Sequence, residues 1–378
     1  MASMVDQGIA LAVPSDERAA PAKLPRFCED DGFGRELRRR VDAYFRDSGK
    51  GERDVPTMLS KSALVLGFTA AVYVLLVFFA HAWWQAIPLA ILMGLSAAAI
   101  GFNIQHDGGH RAYSNHHWLN VASAATLDLI GASSYMWRWK HGLFHHQYVN
   151  LAGHDADIDL GIFGRLSPEH HRRWYHRWQH LYLWPLYGFL ALKWWFYDDL
   201  KDVLTGRLGS HKVPRPAAWE LAGFVLGKAV FLTAALVVPL LLHPVWPVLF
   251  LFCLASLVLG TALSVVFQLA HVVEEADFPS MPAQGPLDAG WAAHQVRTTV
   301  DFCRGNPVVT WLVGGLNFQI EHHLFPRVCH IHYPAISKVV ERTCRDYGVA
   351  YREHTTFLAG MGSHYRWLRR MGTLEADA

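Results

Sequence analysis

The stretch SALVLGFTAAVYVLLVFFA, residues 62–80, decides the fold because its nineteen consecutive residues include no charged side chain. At a rise of 1.5 Å per residue, a helix of this length spans about 28 Å, close to the thickness of the hydrocarbon core of a bilayer. Residues 83–105 are also uncharged and long enough, and only a short turn around His81 separates the two stretches. The pattern predicts two membrane-spanning helices joined as a hairpin.

A second pair of apolar stretches, residues 221–243 and 246–270, follows later in the chain, with a proline-containing turn at 243–247. The pattern again predicts a helical hairpin. Together the two hairpins predict an all-α integral membrane protein with four transmembrane helices. One charged residue, Lys228, lies in the first half of the third span. We expect its long side chain to reach the nearby membrane surface.

Two further apolar stretches are less suited to crossing a bilayer. Residues 118–137 contain Asp128 near their middle, and residues 181–197 contain Pro185, Lys193 and several Trp and Tyr. Such aromatic and charged side chains are typical of helices that lie along the membrane surface. We therefore expect both stretches to lie at the interface.

The composition argues against several other classes of protein. Of the 378 residues, 52% are hydrophobic and 17% are charged, which is too apolar for an ordinary soluble domain. A net charge of +2 argues against nucleic acid as a partner. The five cysteines are widely spread and form no C-x-x-C pair, which disfavours a disulfide framework, a zinc ribbon and an iron–sulfur site.

The distribution of basic residues predicts the orientation of the chain in the membrane. Every Lys and Arg except Lys228 lies in the N-terminal segment, in the 106–220 loop or in the C-terminal region, and neither hairpin turn has any. The positive-inside rule therefore places both termini in the cytoplasm. We divide the chain into a cytosolic segment 1–60, disordered over about its first 30 residues, a membrane domain 61–350 and a cytosolic tail 351–378.

Three short histidine clusters carry the chemistry: HDGGH at 106–110, HGLFHH at 141–146 and QIEHH at 319–323. Within each cluster the outer polar side chains are three or four residues apart, which places them on one face of a helix. Imidazoles packed this closely repel each other when protonated, so the clusters indicate a bound metal. Seven histidines exceed the three or four ligands of one tetrahedral zinc ion, and they indicate two metals. The predicted ligands are His106, His110, His141, His145, His146, His322 and His323.

Other polar residues extend the predicted site. His271, at the cytoplasmic end of the fourth span, is the expected eighth ligand. Gln319 stands where a histidine would complete an H-x-x-H-H pattern, so its amide either binds metal or only forms a hydrogen bond. His154 is a candidate ligand, hydrogen-bond partner or substrate contact. Metal-bound histidines usually donate their other N–H to a carboxylate or carbonyl. The candidate carboxylates are those of Asp107, Asp155, Asp157, Asp159, Glu274 and Glu321.

Two local patterns in these segments leave alternatives open. The D-x-D-x-D run at 155–159 is alternatively a solvated turn, and it lacks the Gly and Glu that a calcium-binding EF-hand loop requires. Gly108 and Gly109 are poor helix formers inside the first cluster. We expect them to permit a close approach of helices around the metals.

These segments resemble the membrane-bound fatty acid desaturases, and most of all the front-end, linoleoyl-CoA desaturase-like branch. The resemblance covers roughly residues 60–350, and a Gln that opens the third histidine box is the mark of the front-end branch. It rests on HDGGH, WRWKHGLFHHQYVNLAGHDADID (137–159), QLAHVVEE (268–275), HQVRTTVDF (294–302) and GGLNFQIEHHLFPRVCHIHYP (314–334).

The resemblance implies four membrane helices and a cytosolic cap that holds a diiron centre on the seven box histidines and His271. It implies an O2-dependent dehydrogenation that places a cis double bond in an acyl-CoA or acyl-lipid chain. The cofactors would be two Fe²⁺ ions, with O2 as co-substrate and electrons from NAD(P)H. We find no HPGG haem motif, and segment 1–60 is too short for a cytochrome b5 domain. The expected donor is therefore a separate ferredoxin, or a cytochrome b5 with its reductase.

The expected partners are a fatty acyl substrate and membrane lipid, and the expected location is a bacterial inner membrane with the histidine boxes facing the cytoplasm. A related diiron hydroxylase or other lipid monooxygenase remains an alternative, because the same centre serves both reactions. A metal transporter or sensor is a remote alternative, because transporter ligands lie near the middle of the spans. A zinc protease is disfavoured because no H-E-x-x-H motif occurs.

Overall fold

The structure, a computed structural model, describes residues 24–374, and this part of the chain is largely helical. Four helices in it are long and apolar enough to cross a membrane. They are α2 (Val55–Phe79), α3 (Trp83–Gly109), α10 (Ala218–Leu242) and α11 (Val245–His271). The prediction of four membrane-length helices is confirmed, and apart from the start of the first span the bounds lie close to those predicted.

The first span begins at Val55 rather than at residue 62. Asp54 caps the helix by accepting a hydrogen bond from the backbone N–H of Thr57 at 3.3 Å, and Pro56 occupies its first turn. Both features are strong helix starts. The helix thus begins in a polar segment and carries Lys61 inside it, where the apolar pattern alone had placed Lys61 outside.

The remaining elements of the described residues are not candidate spans, and we call them together the cap. Before the third span they are α1 (Phe33–Ser48), α4 (His117–Ala124), α5 (Thr126–Leu129), α6 (Ser134–Trp139), α7 (Gln179–Tyr187), α8 (Leu190–Lys193), α9 (Asp199–Thr205) and the antiparallel strands β1 (Arg207–Leu208) and β2 (His211–Lys212). After the fourth span they are α12 (Trp291–Thr298), α13 (Pro307–Leu312), α14 (Gln319–Leu324), α15 (Tyr333–Asp346), α16 (Phe357–Thr373) and the parallel strands β3 (Asp301–Phe302) and β4 (Glu353–His354). The stretches 118–137 and 181–197 are broken into such short helices, and neither is a candidate span.

Small residues bring the central spans α3 and α11 into contact. A Cβ atom added to Gly94 would lie 2.4 Å from the carbonyl oxygen of Ala255, so the two backbones touch at this point. Ala90, Ala97 and Ser256 are also buried. Small residues at helix–helix contacts permit this approach in membranes. The contact aligns the ends of α3 and α11 that carry His106 and His271.

The side chain of Lys228, expected to reach the nearby membrane surface, contacts residues that precede the third span. Its ammonium donates to Asp199 Oδ2 at 2.8 Å and to the carbonyl oxygens of Gly131 and Trp195 at 2.6 and 3.1 Å. Lysine has three donors and no acceptor, so all three N–H groups are used. Acceptors from the cap surround the charge because the cap packs directly over this end of α10.

Both ends of the described chain are packed on the cap. Helix α1 buries Phe33, Leu37 and Val41 in a cluster that includes Ile336 and Val340 of α15. Helix α16 buries Leu368 and Met371 in another cluster, together with Leu183 of α7. The division of the chain at residues 60 and 350 stays a prediction, and the N-terminal stretch predicted to be disordered lies mostly outside the described residues.

Candidate metal centre

Four segments carry the histidine side chains to one place under the cap. The first box ends α3, the third box forms α14, and His271 is the last residue of α11. The second box lies in a π-helix, Lys140–His145, which continues α6. A second π-helical segment, Gly101–Gln105, precedes the first box. π-Helical turns are rare and concentrate at functional sites, because the wider turn redirects side chains.

The structure brings all eight predicted histidines together, seven of them in two main groups. Within each group the ring nitrogens lie no more than 4.8 Å apart. The first group contains His106, His110, His141 and His322, and the second contains His145, His271 and His323. His146 forms a third set with His322 and His323, so it lies between the two groups. The second box is therefore divided between the groups, which a regular helix pattern did not indicate.

Many of these ring nitrogens are buried and have no hydrogen-bond partner. An unpaired buried polar atom costs about 1–3 kcal/mol, so a cluster of them is unfavourable unless a ligand satisfies them. The atoms concerned are Nε2 of His110, His145, His271, His322 and His323, and both ring nitrogens of His146. In addition, Nε2 of His106 lies 3.3 Å from Nε2 of His141. Lone pairs directed at a shared space fit two metal ions.

Burial keeps most of the rings in the neutral form. Desolvation lowers the pKa of His110, His146, His322 and His323 well below the ordinary value, and neighbouring histidines lower it further. The neutral imidazole is the form that binds a metal. His145 differs from them. Burial also disfavours its proton, but the carboxylates of Asp155 and Asp157 outweigh burial and raise its pKa.

The opposite ring nitrogen of several histidines is held by a polar neighbour. His145 Nδ1 donates to Asp155 at 3.0 Å, and His271 Nδ1 lies 3.4 Å from the carbonyl oxygen of Thr298. His323 Nδ1 lies 3.1 Å from Gln295 Oε1, and His322 Nδ1 lies 3.2 Å from the hydroxyl of Tyr333. Each contact orients a ring so that its Nε2 faces the centre, as in known metal sites.

The D-x-D-x-D run serves three different purposes. Asp155 is buried and accepts from His145. Asp157 accepts from Lys140 at 3.0 Å and lies 3.6 Å from Nδ1 of His141. Asp159 accepts from the backbone N–H of Gly161 at 2.8 Å in an exposed turn. The solvated-turn alternative thus fits Asp159, whereas the other two carboxylates support the second box.

The part of the chain that carries these histidines also matches known proteins. The model of the family described as fatty acid desaturase matches residues 82–355, most of the chain. The chain belongs to the fatty acid desaturase family. This desaturase is 39% identical to the sn-1 linoleoyl-lipid 6-desaturase of Arthrospira platensis, over 91% of its own length and 94% of the relative. It is 38% identical to the acyl-lipid (8-3)-desaturase of Physcomitrium patens, over 92% of its own length and 73% of the relative.

A third relative, the sn-1 linoleoyl-lipid 6-desaturase of Synechocystis, is 36% identical over 93% of this chain and 98% of its own. Relatives of these kinds confirm the resemblance to the front-end branch. The desaturase is therefore a membrane-bound acyl desaturase, an oxidoreductase of that branch.

Several predicted site residues of the desaturase lie apart from the histidine groups. The carboxylate of Asp107 accepts from His330 at 3.0 Å rather than from a box histidine. Glu274 pairs with Arg366 at 2.6 Å, and Glu321 accepts from the Tyr351 hydroxyl at 2.9 Å. Burial, and then the charge of nearby Asp301, raise the pKa of Glu321 well above its ordinary value. Local spacing cannot distinguish these carboxylates from those that face the rings.

His154 and Gln319 also differ in their surroundings. The ring of His154 packs beside those of Tyr148 and His211, and His154 belongs to none of the metal-binding groups found in residues 24–374. The amide oxygen of Gln319 is buried on α14 and has no partner, which leaves it free to accept a hydrogen bond.

The two glycines of the first box do permit close packing. A Cβ on Gly108 would lie 2.5 Å from the backbone nitrogen of Ala124, and one on Gly109 would lie 2.2 Å from the ring of Trp137. Trp137 in turn packs on the rings of His110 and His141, with centroids 5.0 and 4.8 Å apart. The glycines therefore allow α4 and Trp137 to close over the first histidine group.

Sequence reasoning did not single out Gln295 or Tyr333. Both lie in stretches that carried the family resemblance, HQVRTTVDF and the end of the third-box block. Neither is a metal-binding residue type, and each is distant in sequence from the ring it contacts. Only an explicit search for hydrogen-bond partners of the box histidines within those stretches could have suggested them.

Proposed function

We propose that this desaturase uses O2 and two iron ions to place a cis double bond in the acyl chain of a membrane lipid. The observation that carries the proposal is the set of buried, unpartnered ring nitrogens in two groups. One iron would be held by His106, His110, His141 and His322, and the other by His145, His271 and His323, with His146 between them. The names of the relatives, which include linoleoyl-lipid and acyl-lipid desaturases, favour a lipid-bound acyl chain over acyl-CoA.

Two bound irons would supply the means to activate O2 for removal of two hydrogens from adjacent carbons. The overall reaction balances as –CH2–CH2– plus O2, two electrons and two protons, giving –CH=CH– and two waters. The electrons would come from NAD(P)H through a separate ferredoxin, or through a cytochrome b5 and its reductase.

The chain's own residues keep the centre oriented and dry. Asp155, Gln295, Tyr333 and the carbonyl of Thr298 hold the ring orientations. Apolar side chains cover the rings: Phe267, for example, packs on His145 and His271 with centroids 5.0 and 4.9 Å apart. Excluding water strengthens electrostatic interactions at the site and suppresses side reactions.

The proposed orientation places the cap in the cytoplasm and the two hairpin turns on the opposite side. It is supported by the absence of Lys and Arg from both turns and by their abundance in the cap. We propose a bacterial inner membrane as the location, with the four spans arranged as two hairpins beneath the cap. Residues 61–350 would form the membrane domain.

The alternatives differ in product or in where the ligands lie. A lipid hydroxylase would use the same residues, and the names of the relatives favour desaturation. A metal transporter or sensor is disfavoured because the histidines lie at the cytoplasmic-side ends of the spans, or in the cap, rather than at mid-membrane.

The test is fatty acid profiling in a host fed defined acids, by gas chromatography–mass spectrometry with double-bond derivatisation. We expect a product 2 Da lighter than its precursor, whereas a hydroxylase would give one 16 Da heavier. His322→Ala should abolish the product and lower the iron content below two per chain. Product formation by His322→Ala, or one iron per fully loaded wild-type chain, would refute the ligand assignment.

A further inference from the structure

A buried lysine near the cytoplasmic end of the first span has no role in the centre described above. Lys61 lies in α2, and only 6% of its surface is exposed. Its ammonium lies 2.9 Å from Nε2 of His330 and 5.1 Å from the centroid of the Trp311 ring. A buried charge inside a membrane helix is costly, so it indicates a specific partner.

The partner of Lys61, His330, is itself hydrogen-bonded to a buried carboxylate. His330 Nδ1 donates to Asp107 Oδ2 at 3.0 Å, and the backbone N–H of His330 reaches the same oxygen at 3.2 Å. Because lysine can only donate, Nε2 of His330 must accept, and its Nδ1 therefore carries the proton. The order Lys61–His330–Asp107 thus defines one tautomer and compensates a buried positive charge with a buried negative charge.

The hydrogen bonds between Lys61, His330 and Asp107 join three segments of the protein beside the first histidine group. Asp107 directly follows His106 on α3, and His330 lies in the short connection between the third box and α15, which begins with Tyr333. Parallel contacts strengthen the junction. Ser62 Oγ lies 2.8 Å from the hydroxyl of Tyr113, just after the first box, and the backbone N–H of Cys329 donates to the carbonyl of Glu52 at 2.9 Å.

We propose that Lys61, acting through His330 and Asp107, is a positioning residue that holds His106 and His322 in the geometry of the first metal site. The inference rests on the proposed function. Lys61 touches no box histidine, so it acts only through the segments it joins. Removing its charge leaves His330 and Asp107 buried with a missing partner, and the ends of α3 and α14 are then free to shift. A ligand displaced by about half an ångström loses much of its contribution.

The same atoms also resemble a third metal site, because Asp107, Cys329 and His330 lie within reach of one another. Lys61 fixes the tautomer in which His330 Nδ1 carries the proton toward Asp107, so that nitrogen has no lone pair for a metal ion. The charge of Lys61 would also repel a cation there. The neighbourhood therefore favours an ion pair over a metal.

The test compares Lys61→Met with Lys228→Met in purified, metal-stripped full-length protein. Lys228 is a matched control, since it is also a lysine of a span, only 15% exposed, and pairs with the buried Asp199, but on the cap side of α10. Anaerobic titration with Fe²⁺, and with Co²⁺ followed by its visible spectrum, measures each site. We expect two sites in the wild type and in Lys228→Met. In Lys61→Met we expect one unchanged site and one weakened 10- to 100-fold.

His330→Gln gives a second route to the same result if Lys61→Met does not fold, because it removes the two opposed ring nitrogens that contact Lys61 and Asp107. It should weaken the same single site. Equal metal loss in Lys61→Met and Lys228→Met, at matched thermal midpoints, would reduce Lys61 to a structural role and overturn the inference. Wild-type affinity in both Lys61→Met and His330→Gln would also overturn it. Three sites in the wild type, one of them lost in His330→Gln, would replace it with the third-metal interpretation. A wild type that binds no pair of metals would instead refute the proposed function.

Discussion

At the scale of single residues, the centre depends on which nitrogen of each imidazole is occupied. Asp155, Gln295, Tyr333 and Thr298 each contact an Nδ1 atom, so the Nε2 atoms are the ones left facing the centre. The tautomer of each ring is therefore set by its neighbour and not by the ring itself. Changing one neighbour should alter metal binding without removing any ligand.

The contact between Tyr333 and His322 offers the most conservative test of this idea. Tyr333→Phe keeps the ring in place and removes only the hydroxyl that orients His322. We expect metal affinity at one site to fall 10- to 100-fold with little change in thermal midpoint, as measured by Fe²⁺ titration. Tyr187→Phe is the matched control, because its hydroxyl contacts a histidine outside the centre, His364, at 2.8 Å. Equal affinity in the two variants would contradict the role of Tyr333.

At the scale of elements, close helix packing shapes the site. The π-helix over 140–145 divides the second box between the two groups, and Gly108 lets α4 lie against the end of α3. Neither effect needs a side chain at the contact. Both set the position of the ligands through the position of the backbone. Replacing a glycine there should therefore have a large effect on metal binding.

Gly108→Ala tests the close approach of α4. The added methyl would lie 2.5 Å from the backbone nitrogen of Ala124 and 2.6 Å from Ser123 Cβ, so backbone must move. We expect a loss of about 1–3 kcal/mol of stability, together with loss of iron. Gly67→Ala in α2 is the control, because no atom lies within 4 Å of its added Cβ. The idea fails if the two variants show the same thermal midpoint.

The contact of α16 with the end of α11 should make the fold sensitive to acid. His364 of α16 is buried, its Nδ1 lies 2.6 Å from the carbonyl of Val272, and burial lowers its pKa to about 4. The unfolded chain takes up this proton as the pH falls below about 6.5. Stability is therefore present above pH 6.5 and is lost as the pH falls toward 4, by about 3 kcal/mol.

The thermal midpoint of the purified protein between pH 7 and pH 4 measures this loss. His364→Gln should flatten the curve, because the titrating group is gone while an amide can still donate to Val272. An identical slope in wild type and variant would show that His364 is not responsible.

At the scale of the whole molecule, the histidine centre requires that its four segments emerge on the same side of the membrane. His106 ends α3 and His271 ends α11, while the second and third boxes lie in the cap. An even number of spans between the first and third boxes satisfies this requirement. The uncharged turns near His81 and His243 then lie on the other side.

Cysteine labelling tests this arrangement. A cysteine in place of His81, an exposed residue of the first turn, should react with a membrane-impermeant maleimide in intact spheroplasts. A cysteine in place of Arg46, exposed on α1, should react only after permeabilisation. The unsubstituted protein corrects for Cys28 and Cys253. Labelling of both positions from the same side would contradict the predicted orientation.

The sequence by itself determined those features that depend on residues close together along the chain. The number of spans follows from the length of uncharged runs, and the three boxes follow from histidines a few residues apart. His271 could be expected because the end of a predicted span lies at the membrane surface, at the same depth as the first box at the end of another span. The family was evident from the same stretches taken together, and above all from the long block at 314–334.

Only the tertiary structure decided which partner each polar group has. Asp155 and Asp107 are both acids beside a histidine box, yet one orients His145 and the other accepts from His330, 223 residues away. Lys228 has the composition of a surface-reaching lysine, yet the cap folds over it and supplies Asp199. Such choices depend on which segments the packing brings together. Their energies come from contacts between distant residues, which no local pattern records.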